Sequence, residues 1–117
     1  MIKPYEGALR NALLVRSEHL NHHAHLFGGV MMAEIDDTAY CLLRQEYEDK
    51  TFVTRAADIS FERPARLGDV VVFEARILSV GHTSIQVEVF GSVSGVAICS
   101  ACITYVCIGA DGKKTPI

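Results

Sequence analysis

No stretch of this 117-residue chain approaches the roughly 18–20 consecutive apolar residues that a bilayer-spanning helix needs. Met1 to Arg10 mixes charge, proline and glycine, which is not the pattern of a secretory leader. A cytoplasmic protein with no membrane partner is therefore expected. Positive charge is not in surplus either: 11 Lys and Arg against 14 Asp and Glu leave a net charge of −3. The basic residues are scattered, and only Lys113 and Lys114 are adjacent. Nucleic acid is not an expected partner, because neutralising phosphates takes clustered cations. Also missing are a G-x-S-x-G elbow and a P-loop. Gly91-Ser92-Val93-Ser94-Gly95 does not meet the spacing of a dinucleotide fingerprint. No repeat, linker or low-complexity segment divides the chain, so residues 1–117 are expected to form one domain. Its core is modest for that length, and burial in an oligomer interface would help it.

Four cysteines are present. Cys99 and Cys102 make a C-x-x-C, a spacing that can signal metal or redox chemistry. They lie in Val96 to Val106, a run that reads as strand, where residues three apart point to opposite faces. The two sulfurs then cannot readily share a zinc ion or a disulfide, and ordinary buried cysteines are expected. Cys41 and Cys107 have no evident partner, and the set fits reduced thiols. His19, His22, His23 and His25 cluster in a polar, turn-like stretch from Ser17 to His25. Nothing in the sequence places a fourth ligand beside them, so no metal site is expected.

The first strand is read at Ala8–Val15. After Gly28-Gly29 comes a long segment with neither glycine nor proline, ending near Glu46. Met31, Ile35, Ala39 and Leu42 recur there at three- and four-residue spacing, which predicts a helix of about five turns. From Thr51 onward the sequence turns rich in Val, Ile, Phe and Thr. Strands are predicted at Phe52–Phe61, Val70–Val80, Ser84–Ser92 and Val96–Ile108, joined by short turns and mainly antiparallel. One long helix followed by a meander is an α+β layout in which the sheet wraps the helix, the hot-dog arrangement.

At about 100° per residue, Asp36 falls at the edge of the apolar stripe, in line with Met32 and Leu43, while Asp37 points to solvent. A carboxylate on a half-apolar edge loses hydration, which makes it a better base. By periodicity alone, Asp36 reads at least as well as a helix-surface residue at the margin of the core. Gly28-Gly29 gives a second sign: glycine lets a ligand approach closely, and the first helical N–H groups have no intrahelical partner. With the positive end of the helix dipole they can stabilise a developing oxyanion. A plain turn into the helix would use the same residues.

The stretch Asn21-His22-His23-Ala24-His25-Leu26-Phe27-Gly28-Gly29-Val30-Met31-Met32-Ala33-Glu34-Ile35-Asp36 resembles the N-x-x-G-x-x-F-G-G-x-x-M-x-x-x-D signature of hot-dog acyl-CoA thioesterases. The resemblance continues at Thr54, over Asp58 to Asp69, at Val80-Gly81-His82-Thr83-Ser84, and from Tyr105-Val106 to Asp111-Gly112-Lys113. It implies hydrolysis of acyl-CoA to free acid and coenzyme A. Asp36 would be general base or nucleophile, Gly28 the oxyanion donor through its N–H, and Asn21 the group orienting water or thioester. Thr54 would hydrogen-bond near Asp36. Substrate contacts would come from Gly29, from Arg63 and Arg66, and from the Gly81, His82, Thr83 and Ser84 turn toward the nucleotide end of coenzyme A. No cofactor or metal is implied, coenzyme A being part of the substrate. The site would be shared by two chains of a homo-oligomer: a dimer, a dimer of dimers or a trimer of dimers. Ala24 stands where the family has glycine, His25 where a small polar or acidic residue is common, and His82 where Arg or Lys is usual.

Two other readings stay open on the sequence. A hot-dog dehydratase of 3-hydroxyacyl thioesters would use His25 or His23 as base with Asp36 as acid. A non-catalytic acyl-CoA-binding module would have no need of both Asn21 and Asp36.

Overall fold

Once past its two opening glycines, the segment after Phe27 contains no helix breaker, and it forms α1 (Gly28–Glu46) in the computed structural model. The structure describes residues 8–117, so the first seven residues of the Met1–Arg10 stretch, read above as no leader, lie outside the described residues. Five strands accompany the helix: β1 (Leu9–Leu14), β2 (Thr51–Phe61), β3 (Val70–Val80), β4 (Ser84–Val93) and β5 (Val96–Ile108). Every pairing is antiparallel, in the order β1-β3-β4-β5-β2. A long helix against a five-stranded antiparallel sheet is the hot-dog fold.

The expected elements are all present, with ends shifted by at most a residue or so. The strand order departs from the expected meander. Only β3, β4 and β5 form a meander, since β2 pairs with β5 rather than with its chain neighbour β3. The connection from Glu62 to Asp69 carries the chain across the sheet. It is anchored midway, where the fully buried Ala65 accepts a 2.8 Å hydrogen bond from the Leu26 N–H. The β4–β5 hairpin turns on Ser94 and Gly95, with φ of 49° and 80°, the two left-handed residues that match strand twist in a two-residue loop.

Alternation sets the faces. Val71, Phe73 and Ala75 of β3, Ile85, Val87 and Val89 of β4, and Cys99, Ala101, Ile103, Tyr105 and Cys107 of β5 form one buried row. Met31, Ile35, Ala39, Leu42 and Leu43 of α1 close over it. Each fully buried Leu or Ile contributes about 1.5–3 kcal/mol. Met32, expected beside the stripe, is 44% exposed. Thr38 lies within the buried helix face, its hydroxyl donating to the Glu34 carbonyl at 2.7 Å.

The helix packs chiefly over β3, β1 and β4, and only slightly over β5. It reaches β2 through Tyr40, whose hydroxyl donates to the Phe52 carbonyl at 3.1 Å. Most of β2 is therefore uncovered: Val53 to Asp58 are exposed on both faces, and among the described residues no strand lies beside one of its edges.

Candidate functional site

The loop before the helix is built on Asn21. Its side-chain oxygen accepts the N–H groups of His23 at 2.9 Å and His25 at 3.1 Å, and a Leu20–Leu26 bridge closes the base. This tight turn forces Ala24 into the left-handed region, φ 61°. That is the position where the resembling family carries glycine, the residue that takes this conformation without steric cost. With the oxygen spent on the turn, the Asn21 amide nitrogen is the part of the side chain left to donate.

Phe27 is the N-cap of α1, and among the described residues no side chain caps the helix; its first turn holds no acidic residue. The first N–H groups therefore point outward with the positive end of the dipole behind them. They open beside a cavity of about 310 Å³ lined by Asn21, His25, Gly28, Met31, Phe61 and Arg63, among others. The two glycines differ. A Cβ on Gly29 would come within 2.6 Å of the Phe27 ring, whereas one on Gly28 would meet only Phe61, at 3.9 Å. Internal packing thus does not account for glycine at position 28, where the open side faces the cavity.

Asp36 and Asp37 are both exposed in the single chain. They differ in what they touch. The Tyr105 hydroxyl donates to Asp36 Oδ1 at 2.8 Å, while Asp37 has no such partner among the described residues. Tyr105 is fully buried. Burial, and then the carboxylate it bonds, raise its pKa well above the ordinary tyrosine range, so the phenol stays protonated and remains a donor. Its ring packs edge-on against Tyr40, with centroids 5.9 Å apart. Thr54 faces Tyr105 across the β2–β5 ladder, next to a β-bulge between Thr54 and Ala56. Bulges of this kind often re-aim side chains beside active sites. Tyr105 carries no role in the sequence reading, where it stands only at the head of a resembling segment and as a hydroxyl-bearing residue in the alternating run of β5.

The residues named from the sequence fall into two groups. Asn21, Gly28, Gly29, Arg63 and Arg66 gather at one end. Arg63 lines the cavity, and the Arg66 backbone bridges to His25 and donates to Asp69 Oδ2 at 2.8 Å. Asp36 and Thr54 lie at the other end with the Gly81–Ser84 turn. That turn closes with Gly81 N–H to Ser84 carbonyl at 2.7 Å, and the Thr83 carbonyl accepts from the Cys107 N–H at 2.8 Å. His82, exposed, accepts at its carbonyl from the Ile117 N–H at 2.9 Å. Along α1, Gly28 and Asp36 are about 12 Å apart at 1.5 Å per residue. Along β5, the partners of Phe61 and Thr54, Cys99 and Tyr105, are separated by about 20 Å at 3.4 Å per residue. One chain does not bring the two groups together.

Cys99 and Cys102 do point to opposite faces. Cys99 is buried against the inner row, and its thiol is pushed up to about 11 by burial. Cys102 is only half-buried on the outer face, between Glu88 and Asp58. All four cysteines are free thiols. His23 is exposed and its ring packs at a tilt against His22, and among the described residues no group of three or more His, Cys, Asp or Glu is arranged to hold a metal ion. No helix among them is long and apolar enough to cross a membrane.

Comparison with known proteins joins fold and site. The family model of the Thioesterase superfamily matches residues 23–102. The chain is 28% identical to the acyl-CoA thioester hydrolase YciA of Salmonella typhimurium, over 96% of this chain and 91% of that protein. The hexameric thioesterase y2039 of Yersinia pestis superposes with a TM-score of 0.81 at 28% identity, covering 91% of each chain. The acyl-CoA hydrolase of Staphylococcus aureus, solved with butyryl coenzyme A, coenzyme A and coenzyme A disulfide, shares the fold with a TM-score of 0.87 at 24% identity. That match covers 97% of this chain and 70% of the other. With more than half its length matched by the family model, on a hot-dog fold, this chain belongs to the Thioesterase superfamily and is an enzyme of that family.

Proposed function

We propose that this enzyme hydrolyses acyl-CoA thioesters to a free acid and coenzyme A, working as a single-domain protomer of a homo-oligomer. One observation carries the reading: an uncapped helix N-terminus opens, through Gly28, beside a cavity that also presents Asn21. A thioester needs an activated water and an oxyanion donor, and no more. In the proposed reaction Asp36 takes a proton from water as the water oxygen attacks the carbonyl carbon. The Gly28 N–H holds the oxygen that becomes negative, and Asn21 orients the water or the thioester. As the carbonyl re-forms, the carbon–sulfur bond breaks and the Asp36 proton passes to the departing thiolate. Thr54 supports Asp36 from β2. Gly29, Arg63, Arg66 and the Gly81–Ser84 turn with His82 and Thr83 hold the coenzyme A portion. None of these steps calls for a metal or a further cofactor, so a chelator is expected to leave activity unchanged.

The separation of the two residue groups supports a site shared between chains. β2 is an uncovered edge strand, and an exposed edge is a template for pairing with another strand. A two-fold related copy added antiparallel there would set the Thr54 end of one β2 beside the Phe61 end of the other. Ala56 and Ala57 lie at the middle, with Arg55 and Asp58 on either side, so the edge is small at its centre and complementary in charge across the axis. The relative y2039 is hexameric, consistent with further assembly of such dimers. We place the enzyme in the cytoplasm, where reduced thiols persist, without nucleic-acid or membrane partners.

The test is a panel of acyl-CoA esters read by free-thiol release, with Asp36→Ala as control. Hydrolysis lost in the variant is expected. Conversion of 3-hydroxyacyl-CoA to the enoyl product without thiol release, or tight binding without turnover, would overturn the reading.

A further inference from the structure

A buried phenol placed on the candidate base is the observation that reaches furthest. Tyr105 is fully buried in the inner row of β5, between Ile85 of β4 and Thr54 of β2. A hydroxyl taken out of water needs a partner, and leaving one unpaired in the interior is costly. Here the partner is Asp36, 69 residues away in sequence. Phenylalanine would fill the same ring volume without that demand, so packing alone does not explain the oxygen.

Exposed aspartates on a helix move among rotamers. A 2.8 Å donor from a rigid strand stops that motion for one carboxylate oxygen. The donor is itself braced: the Tyr40 ring packs edge-on against Tyr105, and the Tyr40 hydroxyl is tied to the Phe52 carbonyl of β2. The orientation of Asp36 is thereby referred to the strand that carries Thr54. We infer that Tyr105 is a positioning residue, binding Oδ1 of Asp36 so that Oδ2 is presented to the attacking water. The inference rests on the proposed role of Asp36 and deepens it. Tyr105 is fully buried, and it acts only through the carboxylate.

Steady-state kinetics of Tyr105→Phe in the intact oligomer test it. Loss of a hydrogen bond to a charged group should lower kcat by about tenfold or more, with KM within twofold of wild type, because substrate contacts are untouched. A KM rise that accounts for the whole loss, or an unchanged kcat, would overturn the inference. If Asp36→Ala is inactive while Tyr105→Phe is fully active, the base stands and the positioning role falls. If Asp36→Ala is itself active, the proposed function falls first. A second measurement does not depend on Tyr105→Phe folding: the near-ultraviolet difference spectrum of Asp36→Ala against wild type should show a tyrosine band shifted to shorter wavelength, from loss of the phenol-to-carboxylate bond. A flat tyrosine region would contradict the inference.

Discussion

The two ends of the β2–β5 ladder hold their candidate site groups by different means. At the Tyr105 end a side-chain carboxylate is fixed by a second side chain, and the structural cost lies in a buried phenol. At the Phe61 end the groups on offer are the backbone N–H groups of α1 and the amide nitrogen of Asn21, held by a tight turn with a left-handed alanine. The first end can be dismantled atom by atom through side-chain substitution. The second resists that, because its donors are peptide groups, and it is altered instead through backbone shape and steric access.

That contrast can be broken at either end. The largest effect is expected at the carboxylate: Asp36→Ala should lower kcat by at least about a thousandfold, in the upper range for a general base, while Asp37→Asn stays within about twofold. Equal losses, measured by thiol release, would mean that contact with Tyr105 does not distinguish the two acids. Next comes access at the other end. Gly28→Ala keeps the N–H, and its Cβ meets only Phe61 at 3.9 Å, so the thermal midpoint should hold while kcat/KM falls by about tenfold or more from misplacement of the thioester. Gly29→Ala, which must displace the Phe27 ring beside a proposed coenzyme A contact, should lower the thermal midpoint as well as kcat/KM. The smallest effect is a gain. Ala24→Gly relieves a left-handed alanine at about 1–2 kcal/mol and returns part of that as unfolded-chain entropy. A net stabilisation of about 0.5–1 kcal/mol, seen as a midpoint higher by a few degrees, is expected with kcat unchanged.

Much of this was legible in the sequence because it is local. The α1 stripe, the strand ends and the opposed faces of Cys99 and Cys102 all follow from periods of 3.6 and 2. The placement of β2 was not legible. A connection of eight residues can close a hairpin or cross a sheet, and only tertiary packing, here of Ala65 beneath Leu26, decides which. The Tyr105–Asp36 bond was hidden for the same reason, since it depends on the depth of β5 under α1 rather than on any spacing. Asn21, Gly28, Asp36 and Thr54, and a site shared between chains, were nameable through a resemblance, but the distance separating the two groups on one chain needed the sheet order.

One working site is proposed to take its two halves from different chains, and subunit mixing separates that arrangement from a site built by a single chain. Asn21→Ala and Asp36→Ala are unfolded together in equal amounts and refolded, each being inactive by itself. Half of the two-fold pairs should then be mixed, and each mixed pair holds one doubly damaged site and one intact site. About a quarter of wild-type activity should return under this symmetry. Mixed assemblies confirmed by mass but without recovered hydrolysis would contradict the account, and would put Asn21 and Asp36 on one chain or take Asn21 out of the mechanism.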